Sequence, residues 1–242
     1  MTVVNRFIFD VDGTLTPSRG KINSEFEKFF FNFCKTNYVY LVTGSDKPKT
    51  VEQISDTLYN MAERVYNCSG SDVYKGNKNI HSSSWSLPKD TEEWLAGFLK
   101  ESKFMLRTGL HFEHRTGMCN FSIVGRNATL GERKLYSEYD KQTNERNTIA
   151  RMLTDRFKYV DAKVGGETGI DIFPKGGDKS QIVKDFDSVN DILHFFGDAM
   201  HLEGNDYPLK KVIIDKDLGH CYNVKNYKET WKILKDEFDW DC

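Results

Sequence analysis

Strand and helix patterns alternate regularly through the N-terminal third of the chain. Short apolar runs at Phe7–Phe9 and Tyr38–Val42 each end in a polar turn, which is typical of buried strands. Apolar residues at helical spacing predict helices over residues 21–36 and 48–61, and Arg64–Cys68 is predicted as a third strand. Strands that alternate with helices indicate an α/β fold with a doubly wound parallel sheet.

The pattern changes after a polar break at His81–Ser84. The segments that follow no longer alternate regularly, so we predict an inserted α+β domain with an antiparallel sheet over residues 83–175. Its predicted helices cover residues 90–103, 129–140 and 144–157, and its predicted strands lie near residues 110–114, 120–124, 159–164 and 169–173.

The α/β pattern returns after Pro174, so residues 1–82 and 176–242 predict one α/β core that the inserted domain interrupts. The predicted fold class is therefore α/β, with a Rossmann-like core and an α+β insertion. The last predicted elements are a helix at Lys179–Phe186, strands at Ile192–Phe196 and Val212–Ile214, and a helix at Tyr227–Phe238.

Composition narrows the function classes. A formal net charge of −2 over 242 residues gives no electrostatic reason to expect nucleic acid or an anionic membrane as a partner. No apolar run approaches the roughly 20 residues that span a bilayer, and the N-terminus lacks the pattern of a signal peptide. The five cysteines are scattered and odd in number, which suits a reducing compartment, so we expect a cytoplasmic protein.

Two carboxylates, Asp10 and Asp12, directly follow the first predicted strand, and Gly13 opens the turn behind them. A divalent cation compensates such a pair, and oxygen ligands with an open position suit Mg²⁺ bound together with a phosphate. One carboxylate can then attack phosphorus while the other transfers a proton. A solvated Asp-x-Asp turn is the alternative interpretation.

Further candidate residues lie at the ends of later elements. Thr43 ends the second strand and can donate its hydroxyl to a phosphoryl oxygen, and Lys179 begins a predicted helix where its ammonium can neutralise a phosphoryl group. Asp198 ends another apolar strand, with Asn205 and Asp206 shortly after it, and these residues would complete a Mg²⁺ site. The alternatives are an ordinary strand end, a solvated lysine and two unrelated acidic turns.

The string DVDGTLT at residues 10–16, together with Thr43, Lys179 and the GD and GND sequences near Asp198, resembles the four motifs of the haloacid dehalogenase (HAD) superfamily of phosphoryl-transfer enzymes. The inserted domain resembles the cap of the eukaryotic-type phosphomannomutases. It carries RTGMCN, VGR, an ER pair and GGETGIDIFP, where that family has RNGMxN, IGR, ER and GGxxSFDVFP.

The chain departs from the family pattern at several positions. Gly169 replaces a serine of the SFD sequence and Gly177 replaces the tryptophan of GWDK. The usual ENG sequence after the third strand is Cys68–Gly70, and GDKT is GDAM at residues 197–200. These changes leave the arginines of the cap in place, but they affect the expected sugar preference and the balance between mutase and phosphatase activity.

The resemblance implies a role for each matching residue. Asp10 would be the phosphorylated nucleophile and Asp12 the general acid and base, with Thr43 and Lys179 assisting catalysis. The metal would be held by Asp10, the backbone carbonyl of Asp12 and Asp198, with Asn205 and Asp206 close by. The residues expected to bind the sugar phosphate are Arg19, Arg115, Arg126, Arg133, Asp171 and position 169, where Gly169 lacks the hydroxyl of the family's serine.

The implied activity is that of a Mg²⁺-dependent phosphomannomutase in GDP-mannose biosynthesis. It would interconvert mannose 6-phosphate and mannose 1-phosphate, with glucose phosphates as further expected substrates. A hexose 1,6-bisphosphate would be its activator. The family tends to form homodimers through the cap. Two other functions stay open: a sugar-phosphate phosphatase on the same scaffold, in which water resolves the aspartyl phosphate, and a binding protein without catalysis.

Overall fold

A computed structural model describes residues 3–238 and divides into two compact units. The first unit comprises the residues up to Ser82, Lys179–Leu202 and the residues from Asp206 onward. The second unit comprises Ser83–Asp178 and Glu203–Asn205. Residues 176–178 and 203–205, which we predicted as part of the core, thus group with the second unit.

Residues 3–238 contain eleven strands and eight α-helices. The strands are β1 (Val4–Phe9), β2 (Tyr38–Val42), β3 (Arg64–Asn67), β4 (Asp72–Lys75), β5 (Lys78–Ser82), β6 (Phe112–Arg115), β7 (Met118–Phe121), β8 (Val160–Gly165), β9 (Gly169–Pro174), β10 (Asp191–Gly197) and β11 (Gly219–Asn223). The α-helices are α1 (Ser24–Thr36), α2 (Lys47–Ile54), α3 (Asp56–Met61), α4 (Lys89–Glu101), α5 (Leu130–Thr143), α6 (Glu145–Arg156), α7 (Tyr207–Asp215) and α8 (Tyr227–Glu237).

The sheet of the first unit has the strand order β11-β10-β1-β2-β3-β4-β5 within the described residues. The pairs from β11 to β3 are parallel, and β4 and β5 add an antiparallel hairpin at one edge. β1 therefore lies near the middle of the parallel part, between β10 and β2. The carboxyl ends of these three strands meet at one edge of the sheet, which is where ligands bind in open α/β sheets.

Aromatic side chains fill the core on one face of this sheet. Phe7 and Phe9 point to the same face of β1 because side chains alternate along a strand. They pack on Phe30 and Phe33 of α1, with ring centroids 4.9–6.3 Å apart and nearly perpendicular planes. α1 presents this face because its phenylalanines recur at helical spacing, and Asn23 caps its N-terminus by accepting hydrogen bonds from two backbone N–H groups.

The second unit is built on a four-stranded antiparallel sheet in the order β6-β7-β9-β8. Its inward positions, such as Cys119, Phe121, Ile170 and Ile172, are buried in an apolar cluster together with residues of α4, α5 and α6. Strand alternation places Glu113, Arg115, Asn120 and Asp171 on the opposite face. This sheet therefore has one apolar and one polar face.

Four sequence predictions need correction. The helix predicted over residues 48–61 is two helices, because Ser55 between α2 and α3 has a left-handed φ of 72°. Val212–Ile214, predicted as a strand, lies in α7, whose apolar residues contact the core at helical rather than alternating spacing. The predicted helix at Lys179–Phe186 is a 3-10 helix at Lys179–Asp185. The hairpin β4–β5 and the edge strand β11 were not predicted, because β5 and β11 carry mostly polar or exposed residues.

Among residues 3–238, no helix has the length and apolar composition needed to cross a membrane.

Candidate active site

Asp10 lies directly after β1, in the parallel part of the first sheet, and is buried. Its Oδ1 accepts a hydrogen bond from Lys179 Nζ at 2.5 Å, and the same ammonium donates to Asp206 Oδ1 at 2.7 Å. Asp206 and Lys179 are also buried, and Asp206 Oδ2 accepts from the backbone N–H of Ala199 at 3.1 Å. One lysine therefore holds two carboxylates that come from distant parts of the sequence.

Asp198 joins this arrangement as its exposed member. Asp10, Asp198 and Asp206 each offer a carboxylate oxygen within 4.8 Å of the others. Two glycines allow this approach, because a Cβ on Gly13 would lie 2.6 Å from Cγ of Asp198 and a Cβ on Gly197 would lie 2.5 Å from Oδ2 of Asp206. The glycines of the DVDGT and GD sequences are thus explained by the carboxylates that pack on them.

The charges of this group are only partly compensated. Burial lowers the pKa of Lys179, but Asp10 and Asp206 outweigh this effect and raise it above its ordinary value, so the ammonium stays charged. Burial and the negative charge of Asp206 raise the pKa of Asp198 to about 6, although Lys179 opposes the change. With all four groups ionised, three carboxylates face one ammonium and the site carries an excess of negative charge.

These residues fit a divalent cation. The donors are carboxylate oxygens, which are the hard ligands that Mg²⁺ prefers, and the excess negative charge matches a bound cation. A cation here would favour the ionised forms of Asp10 and Asp198 and so lower their pKa values. Asn205 belongs to the three-residue segment that groups with the second unit, and its predicted proximity to the metal stays a prediction.

The carboxylate of Asp12 has different partners from that of Asp10. Asp12 Oδ1 accepts hydrogen bonds from the backbone N–H of Arg19 at 2.6 Å and from Nε2 of Gln53 at 2.8 Å. Asp12 is not one of the three carboxylates that lie together, so its backbone carbonyl remains the predicted metal ligand. Gln53 is buried near the end of α2, which begins behind the N-cap Asp46.

Of the other two predicted residues in the first unit, Thr43 is buried and Arg19 is exposed. Thr43 is buried directly after β2, and its Oγ1 accepts a hydrogen bond from the backbone N–H of Ser45 at 3.1 Å. Its hydroxyl proton is not used in this hydrogen bond, and its donation to a phosphoryl oxygen stays a prediction. Arg19 is exposed and has a left-handed φ of 58°, which brings its N–H rather than its guanidinium to Asp12.

Two of the predicted phosphate-binding arginines lie together in the second unit. Arg115 at the end of β6 donates to Oε1 of Glu113 at 2.9 Å, and Arg126 donates to Oε2 of the same carboxylate. Burial raises the pKa of Glu113, but the two guanidinium groups outweigh it and hold the pKa below its usual range. One carboxylate thus orients both arginines, which bind phosphate well because of their planar fork of donors.

Arg133, Gly169 and Asp171 are the other predicted residues of the second unit. Arg133 is buried in the first turn of α5, which begins with a capping box formed by Thr129 and Glu132, and its Nε lies 3.7 Å from Glu167. Asp171 is buried on β9, where Oδ1 accepts a hydrogen bond from Nδ2 of Asn120 at 2.6 Å.

Sequence reasoning missed three residues that contact the predicted ones: Gln53, Glu113 and Asn120. A signal existed for Glu113, because residues two apart on a strand share a face and Arg115 follows it at that spacing. Asn120 lies opposite both Glu113 and Asp171 in the strand registers. The contact between Gln53 and Asp12 joins residues 41 positions apart, and no local pattern indicates it.

Solved structures of other proteins share this fold. The Plasmodium falciparum IMP-nucleotidase in its N-terminally truncated form aligns with a TM-score of 0.62 and 14% identity, covering 99% of this chain and 71% of that chain. The C-terminal domain of Candida albicans trehalose-6-phosphate phosphatase aligns with a TM-score of 0.60 and 15% identity, covering 93% and 81%. At 14–15% identity these alignments show the fold alone, an α/β unit with a largely parallel sheet and a second unit with an antiparallel sheet.

Sequence comparison gives the family. A model of the eukaryotic phosphomannomutase family matches residues 26–240. The phosphomannomutase of Spinacia oleracea is 34% identical over 241 residues, covering 96% of this chain and 94% of the relative. That of Saccharomyces cerevisiae is 32% identical over 242 residues, covering 96% and 93%. The chain belongs to the eukaryotic phosphomannomutase family and is an enzyme of the phosphomannomutase type.

Proposed function

We propose that this enzyme is Mg²⁺-dependent and interconverts mannose 6-phosphate and mannose 1-phosphate through a phosphorylated Asp10. The observation that carries the proposal is the buried Asp10 at the carboxyl end of β1, in contact with Lys179 and grouped with Asp198 and Asp206. A hexose 1,6-bisphosphate would act as the activator that phosphorylates Asp10. Glucose phosphates, which differ from mannose phosphates in the orientation of one hydroxyl, are included as further substrates.

The chemistry follows from the two oxygens of Asp10. Lys179 donates to Oδ1, so Oδ2 is the oxygen that attacks phosphorus. The attack forms a bond between Oδ2 and phosphorus and breaks the bond between phosphorus and the sugar oxygen, which takes a proton from Asp12. In the second step Asp12 removes the proton from the other sugar hydroxyl, which attacks the aspartyl phosphate and releases Asp10.

Charge stabilisation accounts for most of the catalysis in such a transfer. Lys179 stays protonated between Asp10 and Asp206 and provides a fixed positive charge beside the transferring group. Asp10, the backbone carbonyl of Asp12 and Asp198 would hold Mg²⁺, which when bound neutralises charge on the phosphoryl oxygens. Gln53 and the N–H of Arg19 hold the carboxylate of Asp12 in one orientation.

The second unit provides the recognition part of the proposal. Arg115, Arg126 and Arg133 would bind the phosphate that does not react, and Asp171 would bind the sugar. Two of these arginines are already oriented by Glu113. The homodimer implied by the family is part of the same proposal. Seven large hydrophobic side chains of the second unit are exposed: Met105, Leu106, Leu110, Leu130, Leu135, Met152 and Tyr159.

A pair of assays tests the proposal. A coupled assay measures formation of mannose 6-phosphate from mannose 1-phosphate with and without a hexose 1,6-bisphosphate, and a second assay measures release of inorganic phosphate. We expect isomer formation that depends on the bisphosphate and exceeds phosphate release. Phosphate release that equals turnover, without a need for the bisphosphate, would instead establish the phosphatase alternative.

The variant Asp10→Asn gives the matched control for both assays. Asparagine has the same shape but is a poor nucleophile, so we expect turnover to fall at least about a thousandfold while the melting temperature stays close to that of the wild type. The buried amide keeps a hydrogen-bond acceptor for Lys179. Turnover at the wild-type rate would exclude Asp10 as the nucleophile and contradict the catalytic part of the proposal.

A further inference from the structure

Asn120 on β7 has a polar atom that the fold of the second unit does not use. Its side chain is buried, and Nδ2 donates a hydrogen bond of 2.6 Å to Oδ1 of Asp171. Its Oδ1 is also buried and accepts no hydrogen bond from the residues that the structure describes. Buried amide oxygens nearly always have a partner, so this one is suited to accept a hydrogen bond from a ligand.

The place of the Asn120 amide depends on Gly169. A Cβ built on Gly169 would lie 2.4 Å from Nδ2 of Asn120 and 2.7 Å from its Oδ1, too close for both groups to keep their positions. The backbone of Gly169 is not in the left-handed region, so it would accept a larger residue. The amide of Asn120 therefore occupies the volume in which a serine side chain at position 169 would begin.

A second glycine, Gly165, leaves space for Asp171, the hydrogen-bond partner of Asn120. A Cβ on Gly165 would lie 2.6 Å from Cγ of Asp171, the carboxylate that accepts from Asn120. Thr168 directly precedes β9 and Ser122 directly follows β7, and each has a buried hydroxyl without a hydrogen-bond partner among the described residues. With Oδ1 of Asn120, three buried polar atoms without such a partner thus lie on or next to these two paired strands.

We propose that Asn120 is a specificity-determining residue, whose amide oxygen accepts a hydrogen bond from a hydroxyl of the bound hexose phosphate at the position that a serine at 169 would serve. The inference rests on the proposed function, because it takes a hexose phosphate as the ligand. An amide oxygen is an acceptor and repels phosphate oxygens, so Asn120 recognises the sugar and contributes nothing to phosphate binding.

Calorimetric titration of the full chain with mannose 6-phosphate and, separately, with inorganic phosphate tests the proposal. We expect Asn120→Ala to weaken binding of mannose 6-phosphate about tenfold, as loss of one buried hydrogen bond predicts, and to change phosphate binding less than about twofold. Asn147→Ala is the matched control, since that partly exposed amide donates a hydrogen bond to the side chain of Asn144, within the same helical segment.

The second part of the test restores the hydroxyl. In the background Gly169→Ser, where the serine displaces the amide and supplies its own hydroxyl, we expect Asn120→Ala to weaken mannose 6-phosphate binding less than about threefold. An equal loss in both backgrounds, or an equal loss for inorganic phosphate, would overturn the assignment and indicate a structural role. Melting temperatures establish that each variant is folded. If Asn120→Ala does not fold, Asn120→Leu is measured in its place.

The outcomes separate this inference from the proposed function. A wild-type chain that binds mannose 6-phosphate, with an alanine variant that binds it equally well, overturns the role of Asn120 alone. A wild-type chain that binds inorganic phosphate but neither mannose nor glucose phosphates overturns the proposed function and this inference with it.

Discussion

The acidic site of the first unit and the polar sheet face of the second unit handle charge in opposite ways. In the first, one lysine is shared by two buried carboxylates, and a third carboxylate leaves an excess of negative charge. In the second, one carboxylate, Glu113, is shared by two arginines. The first arrangement favours a cation and the second an anion. Together they have the two affinities that a phosphoryl-transfer enzyme needs for its metal and its substrate.

The two regions also differ in what holds their residues in place. Asp10 and Thr43 follow parallel strands directly, so the backbone fixes them at one edge of a sheet. Arg115 and Asn120 lie on a strand face, where long side chains must be oriented by neighbours such as Glu113 and Asp171. We therefore expect loss of the shared ammonium in the first unit to affect folding as well as catalysis, and loss of an arginine in the second unit to affect binding alone.

The largest expected effect follows loss of Lys179. Lys179→Met removes the ammonium and leaves Asp10 and Asp206 buried without it, which should lower the free energy of unfolding by about 3–5 kcal/mol. Urea unfolding with and without Mg²⁺ measures this, and added Mg²⁺ should restore part of the loss. A stability equal to that of the wild type would show that the two carboxylates do not depend on the lysine.

A smaller effect, confined to binding, is expected for Arg126 in the second unit. Arg126→Ala removes one guanidinium from the pair on Glu113, so KM for mannose 1-phosphate should rise about ten- to a hundredfold. The free energy of unfolding should change by less than about 1 kcal/mol. If unfolding changes as much as it does for Lys179→Met, the contrast between the two regions is wrong.

Gln53 tests whether the orientation of Asp12 matters. Gln53→Leu keeps the buried volume but removes the donor to Asp12, so kcat should fall about tenfold with KM within about threefold of the wild type. Steady-state kinetics give both constants. A rise in KM with unchanged kcat would assign Gln53 to substrate binding and contradict its role as a positioning residue for Asp12.

The smallest expected effect concerns pH and the first unit. Burial, with a contribution from His220, lowers the pKa of His194 from 6.5 to about 4. Between these values the unfolded chain binds a proton that the folded chain excludes, so stability present above pH 6.5 is lost as the pH falls towards 4. We expect a loss of about 1 kcal/mol, allowing for partial screening of the ring by water.

The variant His194→Gln checks this assignment. Glutamine does not titrate, so the difference in unfolding free energy between pH 7 and pH 4.5 should be smaller in the variant than in the wild type. The wild-type ring lies within hydrogen-bond distance of the Asn5 side chain at 3.0 Å, and glutamine offers a comparable donor. An unchanged pH dependence would assign the acid sensitivity to other groups.

Much of the fold was predictable because its signals are local. The phenylalanines of α1 at helical spacing and the apolar runs of β1, β2 and β10 predicted these elements, and their alternation predicted the parallel sheet. The helix break at Ser55 was not predictable, since serine seldom adopts a φ of 72°. The strand β11 is also weakly marked, because it lies at an edge and alternates little between apolar and polar residues.

The residues of the candidate site also divide into those that a local sequence signal predicts and those that it does not. Asp10, Lys179, Asp198 and Asp206 were predicted because each directly follows or begins an element, and the structure brings all four together. Gln53 and Asn120 were not predicted, because their importance comes from contacts across the fold to Asp12 and Asp171. Residues that support a site through such distant contacts leave little trace in a single sequence.

The proposed mechanism depends on phosphorylation of Asp10, which acid quenching detects directly. The full chain is mixed with glucose 1,6-bisphosphate and Mg²⁺, quenched in acid within the first turnover, digested and analysed by mass spectrometry. We expect one phosphoryl group on the peptide that contains Asp10. It should be absent from Asp10→Asn and lost when mannose 6-phosphate is added before the quench. A phosphoryl group on a different residue, or turnover without any phosphorylated peptide, would contradict the proposed mechanism.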